Sequence, residues 1–279
     1  MPREPIFRIV SFNLLVTQSR LSRQALNRDD LAAGVILSQN PDVICLQECD
    51  GQFRQEEVNL PGMIAGLFAE AAPVEVDPLE NWNPIFYRRE RFDLISCGHK
   101  VYPVGTEHPY RGVRTHFRSL NWAVLRERES GQNRIVLNTH LDTIPEGQMA
   151  ECVTLVETVR NLRAQYGGPI LVTGDYNGRI NGIGAQALSA LGFADTCALA
   201  EGNLGRRGFH PEPKVHFEPW PAFDVFDPRG SDEDYAKAID HVMLWGEGAV
   251  RSYRTVICEA ALLASDHCPV VVDLNFAKD

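Results

Sequence analysis

The sequence predicts an α/β protein in which helices cover mixed β-sheets. Three features predict that class. Short runs rich in Ile and Val recur along the 279 residues and end in polar residues. Stretches with helical spacing separate several of these runs. The middle of the chain, by contrast, reads as successive strands with no helix between them.

In chain order, Phe7-Arg8-Ile9-Val10-Ser11-Phe12 is the first strand and ends at Asn13. Arg28 to Gln39 follows as a helix, broken by Asn40-Pro41-Asp42 before the strand Val43-Ile44-Cys45-Leu46, which ends at Gln47-Glu48. From Pro84 to Arg126 an antiparallel, strand-rich section is expected, with Ile85-Phe86-Tyr87, Phe92-Asp93-Leu94-Ile95 and Ser119 to Leu125 as its strands. Arg134-Ile135-Val136-Leu137 leads to Asn138-Thr139-His140-Leu141-Asp142. Gln148 to Gln165 places Cys152, Leu155, Val156, Val159 and Leu162 on one helical face, and Gly167-Gly168-Pro169 stops it. Ile170-Leu171-Val172-Thr173 leads to Gly174-Asp175-Tyr176-Asn177, and a helix from Ala185 to Leu191 closes at Gly192. Gly202 to Lys237 has no clear period and is rich in Gly, Pro, aromatic and charged residues, the composition of a long functional loop. No linker-like shift in composition occurs, so a single domain over residues 1–279 is expected.

Composition narrows the function classes. Hydrophobic content of 44% and charged content of 23% are those of a globular chain, and no apolar run is long enough to span a bilayer. A net charge of −10 argues against tight, sequence-blind duplex binding and fits a substrate with few phosphates better. The seven cysteines are odd in number and scattered, and Cys45 and Cys49 lack a second close pair for zinc, so reduced packing roles are expected. Met1-Pro2-Arg3-Glu4-Pro5 runs straight into the first strand with no export signal, which predicts a cytoplasmic protein. No protein partner can be read from the sequence.

Taken singly, the polar strand-end residues have ordinary explanations as turn formers, solvated carboxylates or structural histidines. Their combination points elsewhere. Asn13, Glu48, His140, Asp142, Asp175, Asn177, Asp240, His241, Asp266 and His267 each adjoin a short apolar run. Open α/β sheets gather such residues at strand ends. Carboxylates brought together there repel unless a cation offsets them. Oxygen and imidazole donors without thiolates suit a hard cation, Mg²⁺ or Mn²⁺, which can polarise a phosphoryl oxygen.

In their order, Ser11-Phe12-Asn13, Leu46-Gln47-Glu48, Asn138-Thr139-His140-Leu141-Asp142, Gly174-Asp175-Tyr176-Asn177, Ile239-Asp240-His241 and Ser265-Asp266-His267-Cys268-Pro269 resemble the endonuclease/exonuclease/phosphatase superfamily. That superfamily includes pancreatic deoxyribonuclease, apurinic endonucleases, inositol polyphosphate phosphatases, neutral sphingomyelinases and deadenylases. The resemblance runs from about Phe7 to Leu274. It implies a four-layer α/β/β/α sandwich with the site at one edge of two packed sheets. It implies Glu48, helped by Asn13, as the main metal ligand, with Asp266 serving the metal directly or through water. Asp175 would orient or deprotonate the attacking water, and Asn177 would steady the water and the phosphate. His267, oriented by Asp240, and His140 would contact the phosphate. A carboxylate accepting from an imidazole favours its cationic form beside an anion, so Asp240 with His267 makes chemical sense on its own terms.

Arg118 matches a family arginine near the phosphate, set evenly against a surface strand arginine. Either Asn81 or Glu80 fills the place of a histidine partner found in bacterial members. Tyr176 stands where Phe is usual, and His241 where Tyr is usual; strand alternation should turn His241 away from the site. These motifs fix chemistry and leave substrate open. The leading expectation is a phosphodiesterase on nucleic acid or a nucleotide-like diester. A phosphomonoesterase on an inositol phosphate or other soluble metabolite is the alternative, and a catalytically inactive binding module of the same fold is a third reading.

Overall fold

A computed structural model describes residues 6–14, 28–50, 66–71, 81–102, 118–203, 238–265 and 267–276. Its strands are β1 (Phe7–Asn13), β2 (Val43–Gln47), β3 (Cys49–Asp50), β4 (Phe68–Glu70), β5 (Asn81–Trp82), β6 (Ile85–Arg88), β7 (Phe92–Val101) and β8 (Ser119–Glu127). They continue as β9 (Asn133–His140), β10 (Ile170–Asp175), β11 (Ala194–Asp195), β12 (Gly202–Asn203), β13 (Asp240–Trp245), β14 (Ala249–Thr255) and β15 (Val270–Asn275). The helices are α1 (Arg28–Ser38), α2 (Pro145–Tyr166), α3 (Ile183–Ser189), α4 (Thr196–Leu199) and α5 (Glu259–Ala264).

Two mixed sheets form. One has the order β12-β14-β15-β1-β2-β6-β4 and the other β11-β13-β10-β9-β8-β7. In the first, β1 runs parallel to β2 and antiparallel to β15. In the second, β10 runs parallel to β9 and antiparallel to β13. The strand-rich middle of the chain is antiparallel as expected, but it divides: β6 joins the first sheet, whereas β7 and β8 join the second.

Side-chain alternation builds the layers. Ile9, Val43 and Cys45 of the first sheet meet Val136, Leu171 and Val242 of the second in a shared inner core. On the outer face of the first sheet, Val10, Ile44 and Leu46 pack under Ala32, Ala33 and Ile36 of α1. On the outer face of the second, Ile135, Leu137 and Val172 pack under Leu155, Val159 and Leu162 of α2. The result is the four-layer α/β/β/α sandwich. Complete burial of one such Val or Leu contributes about 1.5–3 kcal/mol, so all three apolar layers matter to stability.

Helix α2 begins earlier than its apolar spacing predicts, because Pro145 supplies a preset φ in the first turn. It ends where expected, at Gly167, whose φ is 63° and whose N–H donates to the Arg163 carbonyl. Helix α3 is displaced two residues toward the N-terminus of its predicted span. Residues 204–237 of the expected long loop lie outside the described residues. Cys45, Cys97, Cys152, Cys197, Cys258 and Cys268 are free thiols, and four of them are buried. Among the described residues no helix is long and apolar enough to cross a membrane.

Candidate active site

The inner face of the second sheet changes from apolar to ionisable at one end. His140 closes β9, Asp175 closes β10 and Asp240 opens β13; Asp175 registers with His140 on one side and Asp240 on the other. By alternation all three share the face of Val136, Leu171 and Val242, so they cap the inner core. The facing sheet contributes Asn13 and Gln47, paired side by side at the ends of β1 and β2.

Gly174 makes the row possible. Its φ is +142°, and an added Cβ would lie 1.8 Å from the Thr139 carbonyl oxygen. Any side chain there would force β10 away from β9 and take Asp175 out of register with His140.

Asp175 is the hub. Its Oδ2 lies 3.0 Å from Asn13 Nδ2, 3.3 Å from His140 Nε2 and 3.7 Å from His267 Nε2. The same Asn13 nitrogen donates to Glu48 Oε1 at 3.2 Å, which ties Glu48 into the cluster. His267 Nδ1 sits 2.8 Å from Asp240 Oδ2, an orientation that leaves Nε2 facing Asp175. The Ser265 hydroxyl donates to the Asn13 carbonyl at 2.6 Å and accepts the His267 N–H at 3.1 Å, so the loop bearing His267 is fastened to β1.

Asn177 is placed by its backbone, whose N–H donates to Asp175 Oδ1 at 2.8 Å. Its amide then reaches the Leu141 carbonyl at 2.8 Å and His140 Nε2 at 2.9 Å. One guanidinium nitrogen of Arg118 lies 2.6 Å and 2.7 Å from the two ring nitrogens of His140. Both Glu48 and Asn177 hold positive φ, 58° and 45°. Asn adopts that region readily, whereas Glu does so at a cost of about 1–2 kcal/mol. Strain of this kind collects where function sets the geometry.

The electrostatics are lopsided. Burial pushes the Asp175 carboxyl up to about 7; His267 pulls against that shift and Asp240 adds to it. Donor atoms of Asp175, Asp240 and His267 all lie within 4.8 Å of one another. With Glu48 joined through Asn13, three carboxylates meet beside two histidines and one arginine among the described residues. A cluster of oxygen and nitrogen donors with this surplus of acid fits a divalent cation.

The structure thus gathers Asn13, Glu48, Arg118, His140, Asp175, Asn177, Asp240 and His267. Asp266 and Glu80 lie outside the described residues, as does the side chain of Asn81. Asp142 acts locally: its Oδ1 accepts the Ile144 N–H at 3.0 Å, at the start of α2. His241 faces away, as alternation predicts. Its Nε2 meets the Gly178 carbonyl at 2.8 Å and its ring packs edge-on against Tyr176, while burial lowers its pKa.

Two of the motif residues, Gln47 and Asn138, carry no role in the sequence analysis and prove to be buried amides beneath the hub. Gln47 donates to Asn138 at 2.7 Å and to Ser11 at 3.1 Å, and Asn138 donates to the Leu46 and Pro84 carbonyls, so the two sheets are laced together under the site. Strand parity adds the signal that they turn inward, since Gln47 and Asn138 share the inward face of their strands with Val43 and Val136.

No curated protein matches the chain at a significant level. Solved structures do. An endonuclease/exonuclease/phosphatase family protein from Bacteroides thetaiotaomicron is 19% identical with a TM-score of 0.75, covering 99% of this chain and 100% of its own. A mannosyl-6-phosphatase from the same organism is 21% identical with a TM-score of 0.71, covering 97% and 100%. D. rerio TDP2, complexed with a single-strand DNA product, is 15% identical with a TM-score of 0.67, covering 98% and 100%. At these identities the likeness speaks for the fold. The sequence itself matches the Endonuclease/Exonuclease/phosphatase family profile over residues 10–267. The chain therefore belongs to the Endonuclease/Exonuclease/phosphatase family and is a phosphoester hydrolase.

Proposed function

We propose that the chain is a single-domain phosphodiester hydrolase of nuclease-like type, dependent on Mg²⁺ or Mn²⁺. The observation that carries this reading is Asp175, a buried carboxylate at the meeting point of Asn13, His140 and His267 whose pKa is pushed up to about 7. A base poised near neutrality can take a proton from water and pass it on. Asp175 orients and deprotonates the attacking water. Asn177, fixed to Asp175 through its backbone, steadies that water and the phosphate. His267 has Nδ1 engaged by Asp240 and so presents Nε2 to a phosphate oxygen, and His140 with Arg118 meets the phosphate from the side of β9.

Glu48 and Asn13, with Asp266, hold the cation, and the grouping of Asp175, Asp240 and His267 supports a site of oxygen and nitrogen donors suited to it. Bound there, the cation supplies polarisation of the phosphoryl oxygen and relief of charge on the departing one. The free cysteines support a reducing, cytoplasmic setting.

The likeness to TDP2 with a single-strand DNA product supports the diester reading. The likeness to a mannosyl-6-phosphatase supports a second reading, a monoesterase on a soluble phosphorylated metabolite. A panel of single-stranded DNA, abasic duplex, RNA, bis-p-nitrophenyl phosphate and p-nitrophenyl phosphate, run with Mg²⁺, Mn²⁺ or EDTA, sets them apart. Cleavage of the diesters that EDTA abolishes is the expected outcome. Release from the monoester alone would transfer the assignment to the second reading, and turnover indifferent to EDTA would refute the metal requirement.

A further inference from the structure

Two buried polar side chains of α2 have no part in the chemistry above. Gln148 is 4% exposed and Glu151 fully buried. The single amide nitrogen of Gln148 reaches three carbonyl oxygens on two different strand ends: Asp142 at 2.6 Å, Tyr176 at 3.0 Å and Asn177 at 3.2 Å. Glu151 Oε2 accepts the Asp142 N–H at 2.7 Å. Asp142 is therefore held by its carbonyl and its N–H at once, two residues beyond His140. The helix start is close enough to do this because residue 147 is glycine, where an added Cβ would lie 2.4 Å from Asp142 Oδ2. Meanwhile Glu151 Oε1 has no hydrogen-bond partner among the described residues. A half-satisfied buried acid is a poor choice for stability alone, since an apolar side chain would fill the same space without the desolvation cost.

We propose that Gln148 and Glu151 are positioning residues, a clamp that fixes the end of β9 against the end of β10 so that the His140 imidazole and the Asn177 amide meet. The bond between them, 2.9 Å long, and the bond from Asn177 to the Leu141 carbonyl both cross the gap that Gln148 spans from beneath. Asn177 holds its left-handed backbone with its own carbonyl anchored by the clamp. This rests on the catalytic reading above, and its test has one arm that needs no turnover.

The experiment compares Gln148→Met, Glu151→Met and Glu151→Gln with wild type on bis-p-nitrophenyl phosphate in Mg²⁺. It also compares the ¹⁵N-histidine ring spectra of the metal-free proteins. Loss of alignment without loss of contact should lower kcat about 10- to 100-fold in both Met variants with KM within about twofold, because small misplacements act on the reacting geometry. Glu151→Gln, which still accepts the Asp142 N–H, should stay within about threefold of wild type. Introduced into an Asn177→Ala background, Gln148→Met should cost less than about twofold, because the residue it positions is gone. The His140 ring signals should move in Gln148→Met while those of His267 stay in place.

An undiminished kcat in both Met variants, an equal loss in the Asn177→Ala background, or unmoved His140 signals would overturn the clamp. If Gln148→Met does not fold, Gln148→Asn shortens the reach by one methylene and is read the same way. A wild type that hydrolyses nothing would instead count against the proposed function, and the clamp would be decided on the ring spectra alone.

Discussion

Asp273 and Asp175 are both buried carboxylates, at opposite ends of the sandwich. Asp273 lies near the end where β1 begins, with Arg8 at 2.5 Å and Arg254 at 3.4 Å. Its neighbourhood repeats the arrangement: Arg91 bridges Asp42 at 2.7 Å and Glu127 at 2.6 Å, and Arg134 reaches Glu127 at 3.1 Å. Burial raises both Asp273 and Glu127, but hydrogen bonds from Arg8 and Arg91 outweigh it and hold them below the usual carboxylate range. At the other end the same burial acts on Asp175, and His267, the Asn177 N–H and Arg118 together fail to outweigh it. One end carries its own cations. Among the described residues the other end offsets its acids less fully, and a buried carboxyl there is left titrating near neutrality.

The sharpest way to break this contrast is at the hub. Asp175→Asn should lower kcat by about 10³-fold, within the range expected for loss of a positioned base, and single-turnover rates check it. A variant retaining a tenth of wild-type activity would remove Asp175 from the chemistry. Next comes the cation itself. Adding Mg²⁺ at about a hundred times its Kd should stabilise the metal-free protein by about 2.7 kcal/mol, read from urea unfolding, whereas Glu48→Gln should weaken that response.

At the paired end the effect should be on stability alone. Arg91→Met takes one charged partner from each of two buried carboxylates, while Arg134 still reaches Glu127 and the Arg8 N–H still reaches Asp42, so a loss of about 1.5–3 kcal/mol is expected with kcat within about twofold of wild type. A fall in kcat without a fall in stability would mean the two ends are not separate.

The smallest effect is in pH dependence, and it has opposite signs on the two kinds of acid. Glu127 and Asp273 have folded values below their unfolded ones, so their contribution is present above the unfolded value and lost as pH falls through the folded one. Glu151 is raised by burial to about 8, so its contribution is complete below the unfolded value and lost as pH rises through about 8. Unfolding curves between pH 6 and 9 should therefore show wild type losing stability up to about pH 8 and levelling above it, and Glu151→Gln losing less. Identical slopes would place Glu151 in a wetter setting than the helix provides.

Much of the site was legible because it is written at strand ends. Asn13, Glu48, His140, Asp175 and Asp240 each follow or precede an apolar run whose alternation dictates which way the polar residue points. The fold class was legible for the same reason, while the four-layer arrangement came from the order of the motifs. What resisted reading was set by contacts distant in sequence. Alternation in β6, β7 and β8 shows that they are strands but not that β6 belongs to a different sheet from the other two. The helical spacing of α2 marks its apolar face, yet nothing in it reveals that Gln148 and Glu151 turn inward at the helix start. Asp142 looked like its neighbours in the constellation, and only the early start of α2 shows it serving the helix.

The cluster draws Asn13 and Glu48 from one sheet and His140, Asp175 and Asp240 from the other, so its dimensions are set by the thickness of the filling between the sheets. Ile9, Val43, Val136 and Leu171 serve as a shim beneath that cluster. A methyl group gained or lost there should alter the span between the two halves of the proposed catalytic centre, whereas the same change beneath α1 or α2 should be absorbed by a helix that can settle on its own.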